Sequence, residues 1–286
     1  METKILAIFT RTPLHVGAGN SVGAVDSPIQ RERHTRIPII PGSSLKGVLA
    51  DLWSEDYEKN SKDKSVRKEN SESAWLFGNE SDKNASSGAL LIGEARVIAF
   101  PVRSAKNAFA WVTCPFALAR YKRDMGTDSN FEVKQVPSEN ECYASDELVL
   151  KEGKIVLEEY CFTVKSIPTI PDCFKNAIED DVWKDIEKRF VIVSDEIFSY
   201  FCEHACEVVT RIKVDDETGT AASGALFNQE QVPSETMLYA VISAQDKKGL
   251  KASDALKKLD EKIKGKVLQI GGDATIGLGY CSVSLK

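Results

Sequence analysis

Residues 14–36, LHVGAGNSVGAVDSPIQRERHTR, constrain this chain more than any other stretch. They follow directly on residues 3–11, where Ile5, Ala7 and Phe9 alternate as in a β-strand. The stretch has no apolar period, so neither a helix nor a half-buried strand continues there. The irregular segment extends over residues 12–40. Loops of that length inside a compact domain are uncommon and are usually functional or disordered. A fold for this chain must carry a long loop after its first strand and give it a purpose.

After the loop, Pro38 and Pro41 bracket an extended IPIIPG, and Ser43 or Ser44 opens a helix. Leu45, Val48, Leu49 and Leu52 recur at helical spacing and predict that helix over 44–57. Residues 58–73 are polar and of mixed sign, which reads as a mobile charged insert. AWLFG at 74–78 returns the chain to the core, and 88–100 read as a strand or strand pair. Thr113 as cap and Pro115 in the first turn predict a helix over 113–125. The alternating runs around Glu152–Gly153 predict a hairpin, and 174–190 and 194–206 two amphipathic helices, the second capped by Ser194. Residues 206–245 read as two strands flanking a long polar excursion. GLKASDALKKLDEKIKG is a helix ending at Gly265, and the tail is strand, glycine-rich turn, strand. Helices mixed with hairpins, without regular β-α alternation, indicate an α+β fold in a single domain over 1–286.

The 286 residues suffice for a sizeable core, and 42 % hydrophobic with 28 % charged residues is ordinary for a soluble globular protein. No apolar run is long enough for a membrane span. METKILAIFTRTP lacks a small-residue cleavage site, so the expected location is cytoplasmic, away from membranes. Seven scattered cysteines, several within apolar runs, fit free reduced thiols. The net charge of −6 argues mildly against a general nucleic-acid binder, yet it allows a local basic groove on an acidic body.

Several chemistries are disfavoured. Gly17, Gly19 and Gly23 free the backbone but form no GxxxxGK[ST] phosphate loop and open no helix of a βαβ unit. CEHAC at 202–206 lacks zinc-finger spacing, and no GxSxG accompanies the three histidines. Asp26 is the sole acidic residue between Glu2 and Glu32, on a segment too polar for a core, with His15 before it and Arg31, Arg33, His34 and Arg36 after it. It is either a satisfied loop carboxylate or one placed beside a phosphate backbone, acting through a metal or a base. PGSSLKG sets Gly42, Ser43, Ser44 and Lys46 at a helix start, where orphan N–H groups favour an anion; simple capping is the alternative. The tail glycines Gly271, Gly272, Gly277 and Gly279 suit a tight turn or close passage of another backbone, of protein or nucleic acid.

Taken together, PLHVGAGNSVGAVDSPIQRERHTRIPIIPGSSLKGVLAD, DDETGTAASGALFNQEQVPSETMLYAVI and LQIGGDATIGLGYCSV resemble the RAMP superfamily of CRISPR proteins, and most closely the backbone subunits of the type III-B (Cmr) effector. The resemblance is strongest over 8–52, 211–242 and 267–284. It implies a ferredoxin-like, RRM-related palm, a helical fingers insertion and a long β-hairpin thumb, which matches 213–234. It also implies copies stacked in a helical filament along a guide crRNA, with other Cmr subunits. Complementary target RNA would be cut at regular intervals by a divalent-metal-dependent endoribonuclease, with Mg2+ or Mn2+ not tightly held by the isolated chain. The required loop aspartate matches Asp26, which would also be the metal ligand. His15 ranks as a positioning residue. Gly17, Gly19, Arg31, Arg33, Arg36, Gly42, Ser43, Ser44, Lys46, Gly271, Gly272 and Gly277 fall to RNA contact. The alternatives are a type III-A backbone subunit, a guide-maturing RAMP endoribonuclease with His15 as base, a non-catalytic crRNA scaffold, or an unrelated acidic enzyme.

Overall fold

The computed structural model describes residues 1–19, 25–59, 65–79, 85–126, 131–133, 135, 138–214, 221–247 and 249–286. In chain order the principal elements are β1 (Glu2–Thr10), α1 (Gly42–Asp51), β2 (Leu90–Arg103), β3 (Phe109–Thr113), α2 (Pro115–Met125) and β4 (Glu141–Ala144). There follow β5 (Lys154–Leu157), β6 (Tyr160–Ser166), β7 (Phe190–Ile192), α3 (Asp195–His204), β8 (Glu207–Val214) and β9 (Ala221–Gln231). The chain closes with β10 (Met237–Ala244), α4 (Ala252–Ile263), β11 (Val267–Gln269) and β12 (Tyr280–Leu285).

Four strands build the palm. Their spatial order is β12-β1-β10-β2, every neighbouring pair antiparallel. The connectivity β1-α1-β2-β10-α4-β12 is therefore a βαββαβ unit with strands in the order 4-1-3-2, the ferredoxin-like arrangement. Helix α4 packs against β10, β12 and β1, and α1 against β2. Six consecutive residues of β1, Ile5 to Thr10, are buried, because both faces of this central strand are covered. On the face away from Leu6 and Ile8, Phe9 meets Trp183 edge-on at 5.5 Å, and Trp183 in turn meets Trp111 and Phe174.

Strand β2 joins this palm to a second half. Its first part pairs with β10, while Phe100–Arg103 pairs with β3. From there the sheet continues β3-β7-β4-β6-β5, with β3-β7 and β4-β6 parallel. The two-stranded β8-β9 hairpin stands outside this sheet. Residues 215–220, and with them part of the expected 213–234 thumb, lie outside the described residues.

Several elements differ from the sequence reading. Helix α1 stops at Asp51 and not at 57. Trp53 is drawn into the interior, where its indole donates to Glu72 (2.8 Å) and meets Phe77 edge-on. Pro41 is the N-cap and no side chain caps α1, so Ser43 and Ser44 lie inside the first turn. Around the expected charged insert, Tyr57–Lys59 pairs with Ser65–Arg67, and Arg67 lies over the Tyr57 ring; 60–64 lie outside the described residues. The cap of α2 is the Cys114 thiol, accepting from the Ala117 N–H, and not Thr113. The hairpin predicted around Glu152–Gly153 turns instead at Glu158–Glu159, where Leu157 faces Tyr160. The predicted 174–190 helix breaks into short turns, because buried Trp183 bonds back to the Phe174 carbonyl and Phe190–Ile192 enters the sheet as β7. All seven cysteines are free; Cys161 alone is exposed. No helix among the described residues is long and apolar enough to cross a membrane.

Candidate nucleic-acid interface

The long loop is knitted into the protein. Gly17 bridges Ile29, so 14–18 and 27–30 run antiparallel, and the first limb is tied to the hairpin base by Leu14 and Val232, bonded both ways at 2.8 Å. The second limb lies along β9: the Ser27 N–H donates to the Asn228 carbonyl, and the Glu230 N–H to the Ser27 carbonyl, each at 3.0 Å. Residues 20–24, with Gly23, lie outside the described residues.

Glu230 anchors the loop. One carboxylate oxygen accepts from the Ile29 N–H (3.0 Å), the other from Arg31 (2.6 Å), and its carbonyl accepts from His15 Nδ1 (2.7 Å). Because a carbonyl only accepts, Nδ1 carries the proton. Nε2 then faces Ser27 Oγ at 3.2 Å as an acceptor. His15 is buried with both ring nitrogens engaged, which suits a positioning residue. The Gly272 N–H donates to the His15 carbonyl (2.9 Å), joining the tail turn to the loop.

Asp26 sits beside this anchor, exposed. Its Oδ2 accepts from the Asn228 backbone N–H at 2.8 Å, fixing the carboxylate where loop and hairpin meet. Asp273, also exposed, approaches from the tail turn and accepts from the Gln229 side chain at 2.5 Å. Gln229, Glu230 and Asp273 are site residues that the sequence reading missed. The buried polar run at the end of β9 marks the first two only after the strand's packing is known.

The basic run divides. Arg31 is an internal clamp, with a side chain 4 % exposed that donates to Glu230 and to the carbonyls of Arg36 and Cys202, so its assignment to RNA contact is corrected. Arg33 is exposed. Arg36 is half exposed and pairs with Glu203 (3.2 Å). Between them Glu32 is buried and accepts two bonds from Arg120 (3.0 and 2.5 Å). Burial alone would raise the Glu32 carboxyl; the Arg120 and Thr35 hydrogen bonds overcome it and hold it below the usual carboxylate range.

At α1, the Leu45 N–H returns to Pro41 O, and the N–H groups of Gly42, Ser43 and Ser44 at the helix start have no partner among the described residues. Ser43 is exposed, and Ser44 and Lys46 are half-buried. A Cβ at Gly42 would lie 2.5 Å from the Ile92 carbonyl, so glycine there serves helix–strand packing. The same holds for Gly271, where a Cβ would lie 2.3 Å from the His15 carbonyl, although the residue itself is exposed. Gly17 faces His15 Nε2, whereas Gly19 and Gly277 face open space at positive φ. Among the described residues no three His, Cys, Asp or Glu side chains are grouped to hold an ion, CEHAC included. Asp26 brings one carboxylate, one oxygen of which is engaged by the Asn228 N–H.

The RAMP superfamily model matches residues 8–282. A Pyrococcus furiosus protein described as CRISPR system Cmr endoribonuclease Cmr4 is 34 % identical over all of this chain and 96 % of its own length. The chain belongs to the RAMP superfamily, in its Cmr4 family. The crystal structure of oligomeric Cmr4 from Pyrococcus furiosus superposes on this RAMP chain with a TM-score of 0.73 and 28 % identity, covering 100 % of this chain and 98 % of that one. A chain of the type III-B Cmr-beta complex bound to cognate target RNA gives a TM-score of 0.74 at 19 % identity over 100 % and 97 % of the two chains, a likeness of fold.

Proposed function

We propose that this chain is a backbone subunit of a type III-B CRISPR effector, which grips guide crRNA and cuts complementary target RNA beside Asp26. The single observation that carries the reading is the exposed Asp26 carboxylate, pinned by the Asn228 N–H where the glycine loop crosses the hairpin base. The full-length likeness to a Cmr4 endoribonuclease supports it.

The guide needs a grip on phosphate and sugar without base readout, since pairing supplies specificity. The free N–H groups at the start of α1, with Ser43, Ser44 and Lys46, fit phosphate. Arg33 and Arg36 add charge, and Gly19 and Gly277 leave room for a backbone to approach. The β8-β9 hairpin exposes Val208, Ile212, Leu226 and Phe227, apolar surface that suits insertion at an interrupted duplex or cover by the next copy of the chain. Other Cmr subunits would complete the assembly.

For cleavage, the ribose 2′-oxygen attacks the adjacent phosphorus. The P–O5′ bond breaks as the 2′-hydroxyl proton passes to solvent and the departing O5′ takes a proton from water, leaving a 2′,3′-cyclic phosphate and a 5′-hydroxyl. The protein's part is alignment: a nucleotide splayed at the hairpin sets attacking oxygen, phosphorus and leaving oxygen in line, and Asp26 accepts a hydrogen bond from the 2′-hydroxyl. Mg2+ or Mn2+, where needed, would take most of its ligands from RNA phosphate and water. His15 is buried with both nitrogens engaged by protein groups, which leaves neither open to RNA and weighs against guide maturation. The test is the reconstituted complex given labelled complementary RNA, and separately labelled precursor guide. Regularly spaced target products are expected. Processing of the precursor alone would make this a maturation enzyme, and binding without any cutting would make it a scaffold.

A further inference from the structure

Helix α3, DEIFSYFCEH, turns one face to the core through Phe198, Phe201 and Cys202. A second face holds the 31–36 turn. Ser199 donates to the Thr35 carbonyl, Arg31 to the Cys202 carbonyl (2.8 Å), and Arg36 pairs with Glu203 (3.2 Å). Positions 200 and 204, one helical turn apart, share a third face at the surface. There the Tyr200 and His204 rings stack with centroids 4.2 Å apart and planes 19° apart. Tyr160, from β6, meets Tyr200 edge-on at 5.5 Å, and the two hydroxyls are joined at 2.8 Å. Tyr160 is 39 % and Tyr200 40 % exposed, so a pre-built aromatic surface remains open to solvent.

The 31–36 turn brings arginines next to this helix. Arg33 is exposed and has no ion pair among the described residues, and Arg36 and His34 are 54 % and 71 % exposed. Of the nearby carboxylates, Glu203 is matched by Arg36, Glu158 and Glu159 share Arg103, and Glu196 and Glu207 stay exposed. Exposed aromatic rings interleaved with arginines are what single-stranded RNA requires: a π-face for a base and cations for the flanking phosphates.

We propose that Tyr200, His204 and Tyr160 form a stacking platform for one unpaired RNA base, with the exposed Arg33 of the adjoining 31–36 turn holding a flanking phosphate. The platform deepens the RNA reading given above and rests on it. Continuity favours RNA over a protein partner, because the turn that carries Arg33 and Arg36 follows directly on the Asp26 limb of the loop. The recognition is tolerant of sequence, since any base offers a π-face, and the hydroxyl pair fixes the Tyr200 ring before RNA arrives.

The test uses the full chain and a short oligouridylate carrying one 2-aminopurine. Affinity, salt dependence and 2-aminopurine quenching are compared for wild type, Tyr200→Ala, Tyr200→Trp and Arg33→Ala. Tyr200→Ala should weaken binding about tenfold and lose quenching with the salt slope unchanged, and Tyr200→Trp should restore both. Arg33→Ala should lower the salt slope by about one. If wild type binds and Tyr200→Ala binds equally well with equal quenching, the platform is wrong and the RNA reading stands. If Tyr200→Ala instead loses self-association with RNA affinity intact, the surface belongs to a protein contact and the proposal fails. If wild type binds no RNA even within the assembled guide complex, the RNA reading falls and takes the platform with it.

Discussion

At the scale of single residues, the buried Arg31–Glu230 pair separates structure from recognition within one basic run. Removing one partner of a buried, bonded pair leaves an uncompensated charge. Arg31→Ala should therefore cost about 3 kcal/mol in denaturant unfolding. Arg33→Ala, a few ångströms of chain away but exposed, should leave stability unchanged; equal melting of both variants would contradict the clamp. From sequence the two arginines were indistinguishable, because only the strand that supplies Glu230, some two hundred residues later, decides which turns inward. Asp26 was legible only in part: its own spacing left open a satisfied loop carboxylate or one beside phosphate, and the family resemblance singled it out; it lies exposed at the hairpin and accepts from the Asn228 N–H.

Glu235 makes a second residue-scale prediction. It sits at positive φ in the turn joining β9 to β10, with one buried carboxylate oxygen lacking a partner among the described residues. Burial, reinforced by Asp180, pushes its pKa up to about 7. The folded chain thus keeps a proton that the unfolded chain has released. Stability from this group falls as pH rises from the usual glutamate range to about 7 and is level above that. Glu235→Gln should flatten that decline in the thermal midpoint, and parallel pH curves for the two proteins would refute it.

At the scale of elements, α1 offers a paired test on two glycines. Gly47 has open space around its missing Cβ, so Gly47→Ala should stabilise by roughly 0.5–1 kcal/mol through helix propensity. Gly42→Ala would press a methyl onto the Ile92 carbonyl and should destabilise by about 1–3 kcal/mol. Thermal or denaturant melts of both decide it; a stabilised Gly42→Ala would mean that helix and strand do not approach so closely. The palm elements were readable because β1, α1, α4 and β12 each declare a period or a cap locally. The 174–190 segment was not. Its apolar spacing is helical, but Trp183 and Phe190 are claimed by the aromatic core and the sheet, and tertiary packing outweighs local propensity there. The displaced hairpin turn has the same origin: Glu152–Gly153 makes a tight turn, but the strand that matches Lys154–Leu157 lies after it and not before.

At the scale of the whole molecule, loop, hairpin base and tail turn form one unit through His15, Glu230 and Gly272, and the exposed carboxylate at its edge belongs to none of the hydrophobic layers. This arrangement needs no ion to hold it. The thermal midpoint should be the same in EDTA as in Mg2+, and a drop on chelation would reveal a structural metal. The central claim is that Asp26 serves cutting and not gripping. It is tested most directly by the reconstituted guide complex carrying Asp26→Ala, with cleavage of complementary labelled RNA and binding of the same RNA measured side by side against wild type. The account predicts cleavage reduced about a hundredfold or more with binding unchanged. Cleavage at the wild-type rate would contradict it and move the nuclease elsewhere in the assembly.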